Sequence, residues 1–540
     1  MTKWKSKLAG VLAAGALAVA LVPAAAFGAG ALTADTTISV TGIEDNPAAK
    51  VTAYKVIEVD QSNTKTDGTA GWRLVTGFDN LEGITLEGLI GTGQTISATE
   101  AATLANAASG EGITLSKDGE TTTYKATGVE PGVYVVKVTG TGATVYNPMI
   151  VSADYSQDDP NTNTVADDAK YTGSTAVAKS STPPVTKKTV DAKDQTFQIG
   201  DTIGFEVTTT VPYYPAPYYT ADKTHFEVKD TIDADLSFDA DSVKVLDGTT
   251  ELTKTEDYTV SVKGQTMTIA FTADYLQRAS RETTGPADVK ITYDAKVVND
   301  AAKFAENVNE RTNDVHVEYS NSPTSDGESD HVKTHHYTFG LDADLAGSAS
   351  GSSKELRKVS VDAAGNAMYE VVNQSDWSKN TPLEGAVFTL TGKSTDGIEY
   401  EKEFTTDSDG HISFTGLDAG VEYTLKETSA PAGYQLDKTE HKVKITATYV
   451  EGSDVLKSYV VTVDGTAIAN VTVTNDANEE ITSTTYTDND QTFQFKNVKA
   501  GVLPSTGGNG IYFYVIFGAA VAVVSFVGMR VYKKRAAATK

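Results

Sequence analysis

The chain has 540 residues, with 45 Lys+Arg against 72 Asp+Glu, a formal net charge of −27 and no cysteine. That length points to two to four domains rather than one. The acidic balance excludes a binder of phosphate backbones or anionic lipid, and the lack of thiols excludes disulfides, zinc–thiolate sites and thiol catalysis.

Residues 1–29 open with Lys3, Lys5 and Lys7, continue as an apolar, alanine-rich stretch from Leu8 and end in small residues around Ala24-Ala25-Ala26. This is the pattern of a secretory signal peptide, so an exported mature protein is expected. From residue 30 to 502, turn signals recur about every eight to twelve residues between runs of alternating apolar residues, which predicts an all-β chain of sandwich domains. Three segments follow in order. The first, 30–172, contains the strand-like stretches 51–59 and 132–138 and closes on the acidic, Asn-rich stretch Asp158 to Asp168. The second, 173–340, turns at Pro183-Pro184, and its last strand ends near Asn321-Ser322-Pro323. The polar stretch from Thr324 to Ser353 reads as a connector into the third segment, 341–502.

The terminal segment, 503–540, begins Leu503-Pro504-Ser505-Thr506-Gly507-Gly508. Ile511 to Met529 then gives 19 residues without a charge, enough to cross most of a hydrocarbon core of roughly 30 Å. Arg530, Lys533, Lys534 and Arg535 supply the basic flank of a stop-transfer segment. Removing 1–29 and 507–540 takes away eight basic residues and no acidic one, deepening the charge to −35.

Side chains on a strand alternate between faces, so the phase of each polar residue can be read. In the third segment Glu427 shares a face with Tyr423 and Leu425, Lys358 is in phase with Leu356, and Asn497 is in phase with Phe493 and Phe495. Each of these polar groups on an apolar face is costly alone. The second segment repeats the layout: Lys187 follows Val185 in phase, Asp230 follows Phe226 and Val228, and Asn321 follows Val315, Val317 and Tyr319. Two alternatives stay open there. Lys188 adjoins Lys187 but points the opposite way, and Asn313 shares the phase of Asn321. Asn321 is preferred because, like Asn497, it stands two residues beyond an aromatic strand residue. The first segment offers no comparable triad, and Lys55 reads as a surface or edge residue.

Hexamer, apolar span and basic tail together resemble the sorting signal of Gram-positive surface proteins cut by sortase transpeptidases. The stretch Tyr423-Thr424-Leu425-Lys426-Glu427-Thr428-Ser429-Ala430-Pro431-Ala432-Gly433-Tyr434 resembles the E-box of sortase-assembled pilins, whose domains are collagen-adhesin B-type (CnaB-like), immunoglobulin-like sandwiches. The resemblance implies three such domains in tandem. It also implies cleavage between Thr506 and Gly507, within a recognition site formed by Leu503, Pro504, Ser505, Thr506 and Gly507, with the Thr506 carbonyl held as a thioester until an amine attacks. The two triads then take a chemical meaning: intramolecular isopeptide bonds from Lys358 to Asn497 and from Lys187 to Asn321, with Glu427 and Asp230 as proton-relaying acids. Desolvation favours the neutral amine and the protonated acid that such a step needs. Lys179, in Ala176-Val177-Ala178-Lys179-Ser180-Ser181, occupies the place of the lysine that joins subunits. The usual Tyr-Pro-Lys-Asn context is absent, and Lys170 is the alternative.

The expectation is therefore a structural shaft subunit of a covalent cell-surface pilus, wall-anchored and supporting adhesion, with no enzymatic role beyond its own autocatalytic cross-links. Its expected partners are other copies of itself, a sortase, accessory tip or base pilins, peptidoglycan and an unidentified host-surface ligand, with no nucleic acid. A monomeric wall-anchored adhesin is the alternative, and a secreted hydrolase lacks any supporting motif. No cofactor or metal is expected. Asp407-Ser408-Asp409-Gly410 has the opening of a calcium loop but lacks its twelfth-position glutamate and reads as a hairpin turn. His331, His335 and His336 fall in the polar connector and read as solvated. Tyr213-Tyr214-Pro215-Ala216-Pro217-Tyr218-Tyr219 is either a sticky surface loop or one packed on its own sandwich.

Overall fold

The structure is a computed structural model. It describes residues 36–153 apart from a few internal positions, 175–190, 195–298, 308–341, 357–365, 381–487 apart from position 409, 494–500, and a few helical positions between 525 and 530. The signal peptide, Lys170, the sorting hexamer Leu503 to Gly508 and nearly all of the apolar span lie outside the described residues. No helix among the described residues is long and apolar enough to cross a membrane.

The chain divides into two compact units: residues 1–304 with 308–338 and 449–455, and residues 305–307 with 339–448 and 456–540. The expected boundary at 172/173 falls inside the first unit. There, an eight-stranded sheet carries the first segment, built around Lys50–Val59, whose neighbours include Gly132–Thr139 and Ile113–Lys117. Val51, Ala53, Tyr134, Val136 and Val138 fill one of its faces. This segment departs from the all-β expectation at the helix Ala98–Ala107. Ser97 and Glu100 begin the helix with reciprocal hydrogen bonds, a capping box that satisfies two otherwise free backbone donors.

The middle segment is a sandwich of two sheets. One has the order Val185–Thr189, Thr202–Val211, Ala287–Val297, Leu236–Asp247 and Thr250–Glu251. The other includes, in order, Tyr258–Lys263, Thr266–Phe271, Phe226–Ile232, Val308–Ser322 and Val332–Leu341. Period-two burial drives the packing: Ile203, Phe205, Val207 and Val211 point inward from one strand, and Val289, Ile291, Tyr293 and Ala295 from its neighbour. The polar connector expected from Thr324 onward is instead partly strand, because Ser325–Glu328 and Val332–Leu341 both extend this sheet.

In the second unit the first strand, Arg357–Val361, pairs in parallel with the last, Gln494–Val498, bringing Lys358 opposite Phe495 and Ser360 opposite Asn497. A seven-stranded antiparallel sheet forms the other layer and includes Val387–Lys393 beside Glu422–Ser429. The turn ending at Gly410 closes on the first strand, with Lys358 N–H donating to the Gly410 carbonyl at 2.7 Å. Gly410 has φ +74°, and a Cβ there would lie 2.4 Å from the Lys358 carbonyl oxygen. Only glycine lets the turn approach this closely.

Candidate functional site: two buried lysine–acid–asparagine clusters

The second unit brings together the three residues read from its sequence. The side chains of Lys358 and Glu427 are essentially inaccessible, and Asn497 is 1% exposed. Glu427 Oε1 lies 3.2 Å from Lys358 Nζ and accepts a hydrogen bond from Asn497 Nδ2 at 2.8 Å. Its other oxygen accepts from the Asp437 backbone N–H at 2.8 Å. One carboxylate oxygen thus touches both groups that would react. Neither Lys358 Nζ nor Asn497 Oδ1 has a hydrogen-bond partner among the described residues. Phe388 lies under the amine, with its ring centre 5.1 Å from Nζ, and packs against Phe495. Burial depresses the Lys358 amine below the usual lysine range, opposed by the Glu427 charge.

The middle sandwich holds a similar cluster with one change of member. The Lys187 side chain is fully buried and donates to both oxygens of Asp230, each at 2.8 Å, across the two sheets. Lys188 points outward and pairs with Glu206, so the phase reading separates the two lysines correctly. Desolvation pulls Lys187 down to about 8 against the pull of Asp230, and the same burial raises the Asp230 carboxyl. Asn321 is not at this site. Its Nδ2 donates to the carbonyls of Thr141 and Gly142, and its Oδ1 accepts from Ser325. The asparagine in the cluster is Asn313, fully buried, with Nδ2 donating to Tyr293 Oη at 2.9 Å and Oδ1 without a partner among the described residues. Tyr293 in turn hydrogen-bonds Asp230. The correction has a simple geometric cause: eight residues along a strand span about 27 Å, so two asparagines of the same phase cannot serve the same lysine. The strand register decides between them, since Asp230 is opposite Val315 and Ile232 opposite Asn313. Asn321 instead fastens the strand end to residues 141–142, where Tyr319 Oη also donates to the Ala143 carbonyl.

Sequence reasoning missed Tyr293, although its phase with Ile291 and Ala295 was readable and marked an inward-facing hydroxyl. In the first segment Lys55 meets Glu130, whose side chain is largely exposed, and makes no buried triad. Lys179 is exposed between Thr175–Val177 and Ser180–Ser181, and its carbonyl accepts from the Asn147 N–H. Tyr213, Tyr214, Tyr218 and Tyr219 are all buried, so the aromatic loop packs on its own unit. His335 and His336 are buried strand residues rather than solvated connector residues; His335 reaches Glu310, and His336 packs on Phe205. His331 places its two ring nitrogens against Asp314 and Glu328, which raises its pKa. His331, Asp314 and His316 have potential metal-donor atoms close together.

Residues 199–323 match the Gram-positive pilin backbone subunit 2, Cna-B-like domain family. Residues 371–458 match the SpaA prealbumin-like fold domain, and 496–537 the LPXTG cell wall anchor motif. The trypsin-resistant surface T6 protein of Streptococcus pyogenes serotype M6 is 28% identical, over 93% of this chain and 95% of its own length. The solved T6 backbone pilin of serotype M6 S. pyogenes superposes with a TM-score of 0.51 at 21% identity, covering 87% of this chain and 100% of that one. The full-length major pilin SpaD from Corynebacterium diphtheriae matches at 19% identity and a TM-score of 0.42, covering 87% and 98%. The fold and anchor motif define a wall-anchored surface protein built of β-sandwich domains. Within that class, the chain is a backbone pilin of a Gram-positive pilus. Members of this group are structural proteins that polymerise with other pilin subunits.

Proposed function

We propose that the chain is a shaft subunit of three domains, 30–172, 173–340 and 341–502, strengthened by two self-made isopeptide bonds and joined head to tail by a sortase. The sortase holds Thr506 as a thioester after releasing Gly507, and Lys179 Nζ of the next subunit attacks it. Exposure of Lys179 on a short segment between two strands supports this role. Accessory pilins, peptidoglycan and a host-surface ligand complete the partners of such a fibre.

The observation that carries the internal chemistry is the contact of one Glu427 oxygen with both Lys358 Nζ and Asn497 Nδ2 inside a dry core. The neutral amine attacks Asn497 Cγ, the Nζ–Cγ bond forms, Glu427 passes a proton from Nζ to Nδ2, and the Cγ–Nδ2 bond breaks to release ammonia. In the middle domain Lys187 and Asn313 are the reacting pair and Asp230 is the acid. The test is a cell-wall extract boiled in detergent, together with the intact mass of the mature chain. A high-molecular-weight ladder that Lys179→Ala collapses to monomer, and a mass short by two ammonia molecules, are expected. A ladder unchanged in Lys179→Ala rejects that lysine. No ladder from wild-type cells favours the monomeric wall-anchored adhesin, and full theoretical mass rejects both internal bonds.

A further inference from the structure

The two clusters solve one geometric problem differently. Glu427 reaches the amine and the amide with the same oxygen. Asp230 is a methylene shorter and commits both of its oxygens to Lys187 Nζ. It makes no hydrogen bond to Asn313. The gap between acid and leaving group is filled by a hydroxyl from the opposite sheet: Tyr293 Oη contacts Asp230 Oδ2 on one side and receives Asn313 Nδ2 at 2.9 Å on the other.

We propose that Tyr293 is a catalytic residue of the middle-domain cross-link, its hydroxyl carrying the proton from Asp230 to the departing nitrogen of Asn313. The inference rests on the reading that Lys187 and Asn313 become joined. The step balances as a closed relay. Neutral Lys187 attacks Asn313 Cγ, forming the Nζ–Cγ bond. Nζ gives a proton to Asp230 Oδ1, Asp230 Oδ2 gives its proton to Tyr293 Oη, and Tyr293 gives its own proton to Asn313 Nδ2. The Cγ–Nδ2 bond breaks and ammonia leaves. Asp230 and Tyr293 finish in the protonation states in which they began, so neither an outside acid nor a water molecule is consumed.

The surroundings hold the hydroxyl at its post. Tyr293 is 2% exposed, stacks on Phe205 with ring centres 5.1 Å apart and leans on Phe238 at 5.8 Å. Its strand, Ala287–Val297, is paired on both sides, by Thr202–Val211 and Leu236–Asp247. A ring fixed this way cannot swing, which is what a relay between two preset partners requires. Desolvation keeps the phenol protonated, well above its usual range, so it is available as a donor.

The experiment compares wild type, Tyr293→Phe and the double variant Asp230→Glu/Tyr293→Phe as full mature chains. Intact mass is followed during refolding, and the cross-linked peptides are identified after proteolysis. Wild type is expected to lose two ammonia molecules. Tyr293→Phe keeps the ring and its stacking and is expected to lose only one promptly, with the Lys187–Asn313 link slowed by about 10²-fold or more while Lys358–Asn497 forms normally. Asp230→Glu is expected to restore the slow link in the double variant, because the longer acid can reach Asn313 unaided; recovery of packing alone would not produce that rescue. A Tyr293→Phe link at the wild-type rate overturns the proposal. A double variant as slow as Tyr293→Phe also overturns it. A wild-type chain lacking the Lys187–Asn313 link overturns the underlying reading instead, so the two failures are distinguishable. The double variant is read only against Tyr293→Phe, since linkage in it alone would also follow if the hydroxyl were never needed. Phe keeps the packing on Phe205 and Phe238, and a protease-resistant middle domain shows that each variant has folded.

Discussion

Replacing Glu427 by Gln isolates what the C-terminal cross-link does. The substitution keeps the side-chain shape and an oxygen for the Asp437 N–H, but it removes the carboxylate that touches Lys358 and Asn497. The bond should not form, and the mature chain should fall short of its own theoretical mass by one ammonia, where wild type falls short by two. The proposed Lys358–Asn497 tie would close a loop of about 140 residues, and cross-link entropy for such a loop is roughly 5 kcal/mol. For a domain of this size that corresponds to a fall in Tm of about 10–20 °C. Leaving Lys358 buried without its counter-charge adds to the loss in the same direction. The assay is intact mass followed by differential scanning calorimetry of the same sample, reading the transition of the second unit. If Glu427→Gln still loses both ammonia molecules, the carboxylate is not the acid. If the bond is absent and the transition moves by less than about 2 °C, the loop-entropy argument is wrong.

Asn313→Ala should abolish the middle-domain ammonia loss, whereas Asn321→Ala should leave it intact and cost about 1–3 kcal/mol by uncoupling the strand end from the Thr141 and Gly142 carbonyls, measured by urea denaturation. The middle-domain link should also have a pH profile set by the Lys187–Asp230 pair, which holds one shared proton in its reactive form. Because Lys187 is pulled down to about 8 in the presence of the Asp230 charge, that shared proton is lost as pH rises through about 8. The refolding-coupled rate should therefore be flat just below about 8 and fall about tenfold per unit above it; a rate that climbs through the same window contradicts the shared-proton scheme.

Much of this was legible because strand phase is a strict code. Lys358, Glu427 and Asn497 each sat on an apolar face where a polar group needs a partner, and the sheet brings the three together. The same code separated Lys187 from Lys188. It could not separate Asn313 from Asn321, because phase repeats every two residues while position along the strand depends on register with Phe226–Ile232, a long-range property. Tyr293 was hidden for a related reason: a tyrosine among Ile291 and Ala295 looks like packing until the opposite sheet supplies Asp230 and Asn313. The helix Ala98–Ala107 carried its own local signal in Ser97 and Glu100, but the strand-rich composition around it outweighed four residues. His335 and His336 were misplaced because a polar strand reads as a connector when its partners, such as Glu310 and Phe205, lie elsewhere in the sequence.

The placement of the cross-links follows from where force would travel in the proposed fibre. With the proposed links in place, tension arriving at Lys179 would pass into Val185–Thr189, cross from Lys187 to Asn313, continue along the chain from residue 314 to 358, cross from Lys358 to Asn497 and leave at Thr506. Residues before Lys179 are outside that path. The proposed path is consistent with a first segment whose Lys55 meets a largely exposed glutamate and which shows no buried lysine–acid–asparagine triad among the described residues. The path also differs between the two tied domains. In the second unit Lys358 and Asn497 lie on adjacent parallel strands, so the proposed link would bypass nearly the whole sandwich. In the middle domain the proposed tie would end at Asn313, well before the strand does at Ser322. The stretch beyond it, with Val332–Leu341, is held by backbone ladders, by side chains such as Arg311 on Thr338, and by the clamp of Asn321 on residues 141–142. Those hydrogen bonds, rather than either covalent tie, must set how far a single subunit extends before its amide links take the strain.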